Sequence, residues 1–219
     1  MKNILFLVIF FIFFSNLEAT ENFDISAKNI TLDKKNSISI FEGDVVVKDE
    51  FKNIIKSDYA VYNDNLKKLE IKGNVSIITT EGYSVDAKDI KLDKNKNLIL
   101  SNKPATITDV QKNKIYTQNF EYQANKNIFK SVGDVKVVDV SNNVYKFSQI
   151  YIDEKKKELI GTDSKVFFNQ VEFKANTNNK PRIFSNSARI KDKESKFIKS
   201  TFTTCDYRKD DKCPPWELT

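Results

Sequence analysis

Tyr83-Ser-Val-Asp-Ala-Lys-Asp-Ile-Lys-Leu92 alternates apolar and polar residues as a β-strand does, but the alternation slips once. Its apolar set falls at 83, 85 and 87, then at 90 and 92. The same slip occurs at Ile25 and Ala27 then Ile30 and Leu32, and at Ile115 and Thr117 then Phe120 and Tyr122. It recurs at Tyr145 and Phe147 then Ile150 and Ile152. Side chains of a strand alternate faces with period two, so one inserted residue throws the remainder to the wrong face unless the strand bulges or bends there. A slip at the same place in each unit predicts strands that curve around a common interior.

The slip belongs to a longer repeat. Ser26-Ala-Lys-Asn-Ile-Thr-Leu-Asp33 returns as Val85-Asp-Ala-Lys-Asp-Ile-Lys-Leu-Asp93, with looser copies at 57–62, 117–122 and 147–152. Half a period away, Gly43, Gly73 and Gly133 lie on a 30-residue grid and open Gly43-Asp-Val-Val-Val, Gly73-Asn-Val-Ser-Ile and Gly133-Asp-Val-Lys-Val. The grid points without glycine, Lys103 and Asp163, also precede short apolar segments. A fixed period of this size means one supersecondary unit stacked on copies of itself. The glycines read either as bend positions or as simple turn glycines.

Asn, Asp and Lys turns recur every ten to fifteen residues, as at 33–36, 63–65, 93–97, 125–127 and 153–157, and residues 20–180 carry little proline. The expected fold is therefore all-β, a repeat-built jellyroll of about eleven to fourteen short curved strands. A polar loop at 174–182 breaks the period, and Ser187-Ala-Arg-Ile-Lys191 is one further copy.

Lys2 followed by the apolar run Ile4–Phe14 and by Ser15-Asn-Leu-Glu-Ala19 reads as a signal peptide over residues 1–19. The run is too short to span a bilayer; the alternative is an N-terminal anchor. Residues 20–195 form the expected repeat domain and 196–219 a segment of different character that carries the only Trp, Trp216. Cutting after Ala19 removes Lys2 and Glu18 and leaves the net charge at +6. The charges are interspersed, with no basic stripe of the kind that binds nucleic acid. An exported protein's Cys205 and Cys213 are disulfide candidates, either with each other or with cysteines of another chain or segment.

Catalysis finds no support. Histidine is absent, so the commonest general base and metal ligand is missing, and two cysteines are too few for a zinc site. The carboxylate pairs Asp153-Glu154 and Asp210-Asp211 sit among lysines, where solvated turns explain them. The chain is expected to be no enzyme and to hold no metal or cofactor. The chemistry left is that of an apolar interior face. From the first half of the chain its candidates are Val45, Val47, Ile71, Val75 and Ile77, then Ile90, Leu92 and Ile107. From the second half they are Phe120 and Tyr122, Val135, Val137 and Phe147, with Ile150 and Ile152. These form either an ordinary closed core or a groove for lipid chains, in which each hidden methylene is worth about 0.8 kcal/mol. Exposed sheet edges would then suit addition of a partner's strand.

The repeated Ala-x-x-Ile-x-x-Asp followed by Gly-[Asp/Asn]-Val-x-[Val/Ile] resembles the OstA-like repeat of lipopolysaccharide-transport proteins. Phe202-Thr-Thr-Cys205 and Cys213-Pro-Pro-Trp216 narrow the resemblance to the N-terminal periplasmic domain of the LptD family, the outer-membrane lipopolysaccharide-assembly proteins. The resemblance implies a β-jellyroll, or β-taco, that takes lipopolysaccharide from a periplasmic bridge protein of the same repeat family. It would pass the lipid to a barrel holding a plug lipoprotein, at the periplasmic face of the outer membrane. It further implies that Cys205 is the jellyroll cysteine of an interdomain disulfide. No barrel follows residue 219, so the chain reads as truncated.

Overall fold

The structure, a computed structural model, describes residues 24–48, 52–171, 180–191 and 194–204. The expected signal peptide, Cys205 and Cys213 lie outside the described residues. The fifteen described strands are β1 (Asp24–Ser26), β2 (Asn29–Asp33), β3 (Ile38–Lys48), β4 (Ile54–Asn63), β5 (Lys68–Ile78), β6 (Ser84–Asp93), β7 (Leu98–Ser101) and β8 (Ala105–Thr108). They continue with β9 (Lys114–Thr117), β10 (Phe120–Gln123), β11 (Ile128–Val138), β12 (Val144–Asp153), β13 (Glu158–Phe167), β14 (Arg182–Lys191) and β15 (Glu194–Thr203).

All fifteen belong to one sheet in sequential order, and every pairing is antiparallel. The all-β jellyroll expected from the alternation is the fold observed. A β-helix, which the period alone leaves open, is excluded, because its coils would pair in parallel. The pairs β1–β2, β7–β8 and β9–β10 are each one pass of chain broken midway, since both members pair with the same neighbour. The chain thus makes twelve passes. They are longer than the short strands expected, because a continuous pass runs for ten or eleven residues through its bend.

The bend lies where the slip predicts it. On β3, β5 and β11 the register shifts between Glu42 and Val45, Lys72 and Val75, and Val132 and Val135. Backbone there enters the left-handed region at Gly43, Gly73 and Gly133, and Asp163 and Lys199 repeat it without glycine. The backbone groups freed at each bulge find side chains. Asp58 Oδ2 accepts the Asn74 N–H at 2.9 Å, and Asn119 accepts from the Val132 N–H while donating to its carbonyl at 2.6 Å. A Cβ on Gly73 would overlap the Asp58 carboxylate, so that position needs glycine for space as well as for φ.

Each bend turns the two halves of a pass into two walls. The first wall holds residues such as 69–71, 90–92 and 150–152; the second holds 75–77, 85–87 and 145–147. Inward side chains of both walls make one buried apolar cluster. Near the crease the inward residues are often small, as at Ser57, Ala87, Ser101, Ala105, Ser131 and Gly161. Two walls meeting at an angle leave little room there. The ring of Phe147 fills the space over Gly161, where a Cβ would overlap it.

Turns close the walls along two rims. On the first rim, positive φ recurs at Ser37, Lys67, Asn97, Asn127 and Lys157, 30 residues apart. The carbonyls of the first four accept the N–H groups of Asp64, Lys94, Ala124 and Glu154 at 2.9 to 3.1 Å. On the second rim, Asn53, Asn113 and Asn143 each accept, through Oδ1, the N–H of a residue in the next turn: Thr80, Val140 and Asn169. Asp109 and Asp139 hold the last two asparagines by paired bonds of 2.7 to 2.8 Å. The turns are thus stitched along the stacking direction, which gives buried residues such as Asp109 and Asn113 their hydrogen-bond partners.

Gly161→Ala should destabilise the chain by about 1–3 kcal/mol through overpacking against Phe147, measured by urea unfolding. Phe147→Leu should relieve most of that loss in the double variant. Equal costs with and without Phe147 would place the strain elsewhere.

Candidate functional site

Across the second wall, the inward residues farthest from the crease form an unbroken cross-strand ladder. It runs Ile25, Val47, Ile55, Ile77, Val85 and Ile107, and continues through Ile115, Val137, Tyr145, Val166 and Ile183 to Phe202. Adjacent strands are about 4.8 Å apart, so the ladder is about 50 Å long. All twelve residues in it are β-branched or aromatic, the preference of a pleated half-buried surface. The first wall answers with Tyr62, Leu69, Leu92, Ile99, Tyr122, Phe129, Ile152, Leu159 and Ile190 in successive register.

The structure brings all the sequence-predicted interior residues into this cluster. Val47, Ile77, Ile107 and Val137 stand in the second wall's outer ladder, with Val45, Val75, Val135 and Phe147 nearer the crease. Leu92, Tyr122 and Ile152 stand in the first wall's ladder, with Ile71, Ile90, Phe120 and Ile150 nearer the crease. All are buried, and the walls meet as a closed core. Leu69, Val85, Ile99, Phe129, Leu159, Val166 and Ile190 occupy the same rows without having been singled out. For the first five the signal was available, since each pairs across one strand with a named candidate; Val166 and Ile190 pair only with residues outside that set. Phe120 and Phe129 stack with centroids 5.8 Å apart. Residue 196, where a new segment was expected to start, falls inside β15, which pairs with β14 from Glu194 to Thr203.

Polar groups collect where the two rims approach. Tyr122 donates its O–H toward Glu154 Oε2 and Asn127 Oδ1, both at 3.2 Å. Glu81 and Tyr83, on the opposite rim, act electrostatically on the Tyr122 phenol. Tyr83 occupies the 30-residue position that is asparagine at 53, 113 and 143, so an aromatic ring replaces a rung of the rim at this point. Burial raises the Tyr122 phenol well above its usual range, and the Glu154 carboxylate beside it adds to the shift. Burial likewise pushes Glu154 up to about 9; the Tyr122 bond opposes this and the charge of Glu81 reinforces it. Glu154 Oε1 is buried without a hydrogen-bond partner. On the second rim, Tyr145 donates to Asp139 Oδ2 at 3.2 Å, again an aromatic tip tied to a turn carboxylate.

Such an arrangement excludes water from the apolar interior and places a buried carboxyl with a raised pKa at its border. Among the described residues no group of three or more His, Cys, Asp or Glu side chains is placed to hold a metal ion. No described helix is long and apolar enough to cross a membrane.

No protein-family model matches the chain, and no curated protein sequence matches it. Among solved structures it is similar to LptH of Pseudomonas aeruginosa, the LptA-homologous periplasmic component of the conserved lipopolysaccharide transport device. The identity is 15% and the TM-score 0.29, over 65% of this chain and 82% of that one. A likeness of that degree carries no functional argument.

The Glu154 pKa has a measurable consequence. Between its unfolded value near 4.5 and about 9 the folded chain holds the neutral acid while the unfolded chain is ionised. The stability contributed by this group is complete below the unfolded value and lost as pH rises toward 9. Glu154→Gln should therefore melt like the wild type at pH 4 and be more stable by about 1–3 kcal/mol at pH 8.5. Parallel pH–stability profiles for the two proteins would show that Glu154 is ionised in the fold.

Proposed function

We propose that this chain is a non-catalytic carrier that holds the acyl chains of lipopolysaccharide between its two walls and passes the lipid along the sheet, outside the cytoplasm. The observation that carries the reading is the apolar ladder about 50 Å long, continuous over twelve passes and bordered on both sides by polar rims. A globular core needs no such length. A lane along which an amphiphile slides with its tails inside and its head at the rims does.

Energetics set the requirement. At about 0.8 kcal/mol per methylene, one acyl chain of a dozen carbons is worth roughly 10 kcal/mol of apolar burial. Such a lipid leaves a membrane for water only at a negligible rate. Walls joined on the crease side can part along the rims, exchanging wall-to-wall contact for wall-to-tail contact at little net loss of buried apolar surface. The rims stay intact in that motion because the named turn bonds run along each rim from one turn to the next.

The repeat motifs support the finer assignment: the N-terminal periplasmic domain of an LptD-type assembly protein. Lipopolysaccharide would come from a bridge protein of the same repeat family paired onto a sheet edge, and would go on to a barrel with its plug lipoprotein. A bridge protein of the same fold is the second reading, and it is favoured by β15, whose strand pairing continues through residue 203. In either case the residues assigned to the tails are those of the two ladders, with Ile77 and Val137 central.

The test is photo-crosslinking of the purified chain to lipopolysaccharide with a probe at Ile77 and a control probe at Lys96, in the turn after β6. A crosslink at Ile77 and none at Lys96 is expected. No crosslink at Ile77 would make the interior a permanently closed core and end the carrier reading.

A further inference from the structure

The outward faces of the two walls treat charge differently. On the first wall, opposite signs answer one another. Glu70 pairs with Lys72 at 3.4 Å and Lys91 at 3.6 Å, and Glu158 pairs with Arg189. On the second wall, one outward row runs in register through Asp86, Thr106, Tyr116, Lys136, Lys146 and Lys165. Three lysines stand directly opposite one another on adjacent strands, a placement that costs stability. Among the described residues no ion pair relieves them. Lys136 lies 5.4 Å from the Tyr116 ring centroid and Lys146 5.7 Å from that of Phe167.

This row also lines a depression. A cavity of about 760 Å³ is bounded by Asp86, Lys88, Thr106, Tyr116, Lys136 and Lys146 among others, within the range of small-ligand sites. Its walls offer one half-exposed aromatic ring, 38% accessible, together with cations, a hydroxyl, an amide and carboxylates. Lys88 is steadied by donating to Asn74 Oδ1 at 3.1 Å. A flat ring suits the C–H face of a sugar, Thr106 and the two carboxylates Asp86 and Asp134 suit its hydroxyls, and lysines suit anionic substituents. The row spans about 24 Å at the inter-strand spacing, the reach of a short oligosaccharide rather than of one sugar.

We propose that the outer face of the second wall binds an anionic oligosaccharide, with a sugar ring on Tyr116 and its phosphate or carboxylate groups on Lys136, Lys146 and Lys165. The charged row faces outward, while Val75, Ala87, Ala105, Val135 and Phe147 of the core also line the cavity, and the inference does not rest on the acyl-chain reading. A lipid surface would be met by lysines alone. The aromatic ring and the carboxylates Asp86 and Asp134 in the lining favour a saccharide.

The experiment is a titration of the purified full-length chain with tetragalacturonate, with maltotetraose and inorganic phosphate as comparisons, followed by calorimetry and amide NMR shifts. Tetragalacturonate should bind at least tenfold more tightly than either comparison, with shifts at Tyr116, Lys136 and Lys146. Tyr116→Ala and the double variant Lys136→Gln/Lys146→Gln should each weaken it at least tenfold. The double lysine variant should melt no lower than the wild type, and both variants should keep the crosslink of lipopolysaccharide at Ile77. Equal binding of tetragalacturonate and phosphate, or an affinity unchanged by Tyr116→Ala, would overturn the proposal. So would binding to phosphatidylglycerol vesicles that the double lysine variant abolishes while tetragalacturonate fails to bind.

Discussion

Every strand of this sheet must bend at the same level, and the backbone opened by the bend must still be hydrogen-bonded. The rest of the molecule depends on that constraint. A bulge without partners would leave amide and carbonyl groups exposed beside an apolar interior, at a cost comparable to a lost hydrogen bond for each. Here Asp58, Asn119 and Ser131 supply the missing partners; Ser131 donates to the Asn119 carbonyl at 2.7 Å. Because the polar residues are on strands adjacent to the bulges, each bend is completed by its neighbour. The crease is therefore a property of the stack and not of any strand alone.

From the crease outward, side-chain size follows geometry. Serine, alanine and glycine fill the narrow line where the walls meet, and branched aliphatic and aromatic residues fill the wider layer beyond it. The polar content is pushed to the rims, where turns bond to turns. Tyr122, Glu154, Glu81 and Tyr83 are the place where the two rims influence each other, and there an acid is held neutral by burial.

Much of this was legible in residue spacing. The slip from Ala87 to Ile90 located the bend, and the Gly43–Gly73–Gly133 grid located the bulges. The alternation named inward residues correctly over the central passes, whereas Ile30 and Leu32, on the edge strand β2, are exposed. It did not reveal which passes stay continuous and which break into two short strands, as at β1–β2, β7–β8 and β9–β10, because a bend and a break look alike when only side-chain phase is read. Asp163, a grid point without glycine, and Lys199, off the grid, both enter the left-handed region, and only the second bend left no mark in the spacing. The asparagine rungs at 53, 113 and 143 were equally hidden. An Asn in a turn reads as turn chemistry, and only the fold shows that its side chain reaches the next turn 26 to 27 residues on. The lysine row on the outer face is invisible in sequence, since Lys136, Lys146 and Lys165 look like scattered surface charges until the register aligns them.

The stitched rims make length a countable quantity in this architecture. One unit of 30 residues carries two passes, one bulge and one rung on each rim, and it touches only the units before and after it. Duplicating or deleting one unit would change the lane by two strand spacings, about 10 Å, while leaving its cross-section untouched. Genes for such a protein can be lengthened in whole steps to match a distance, and insertions of any other size would put a rung opposite nothing.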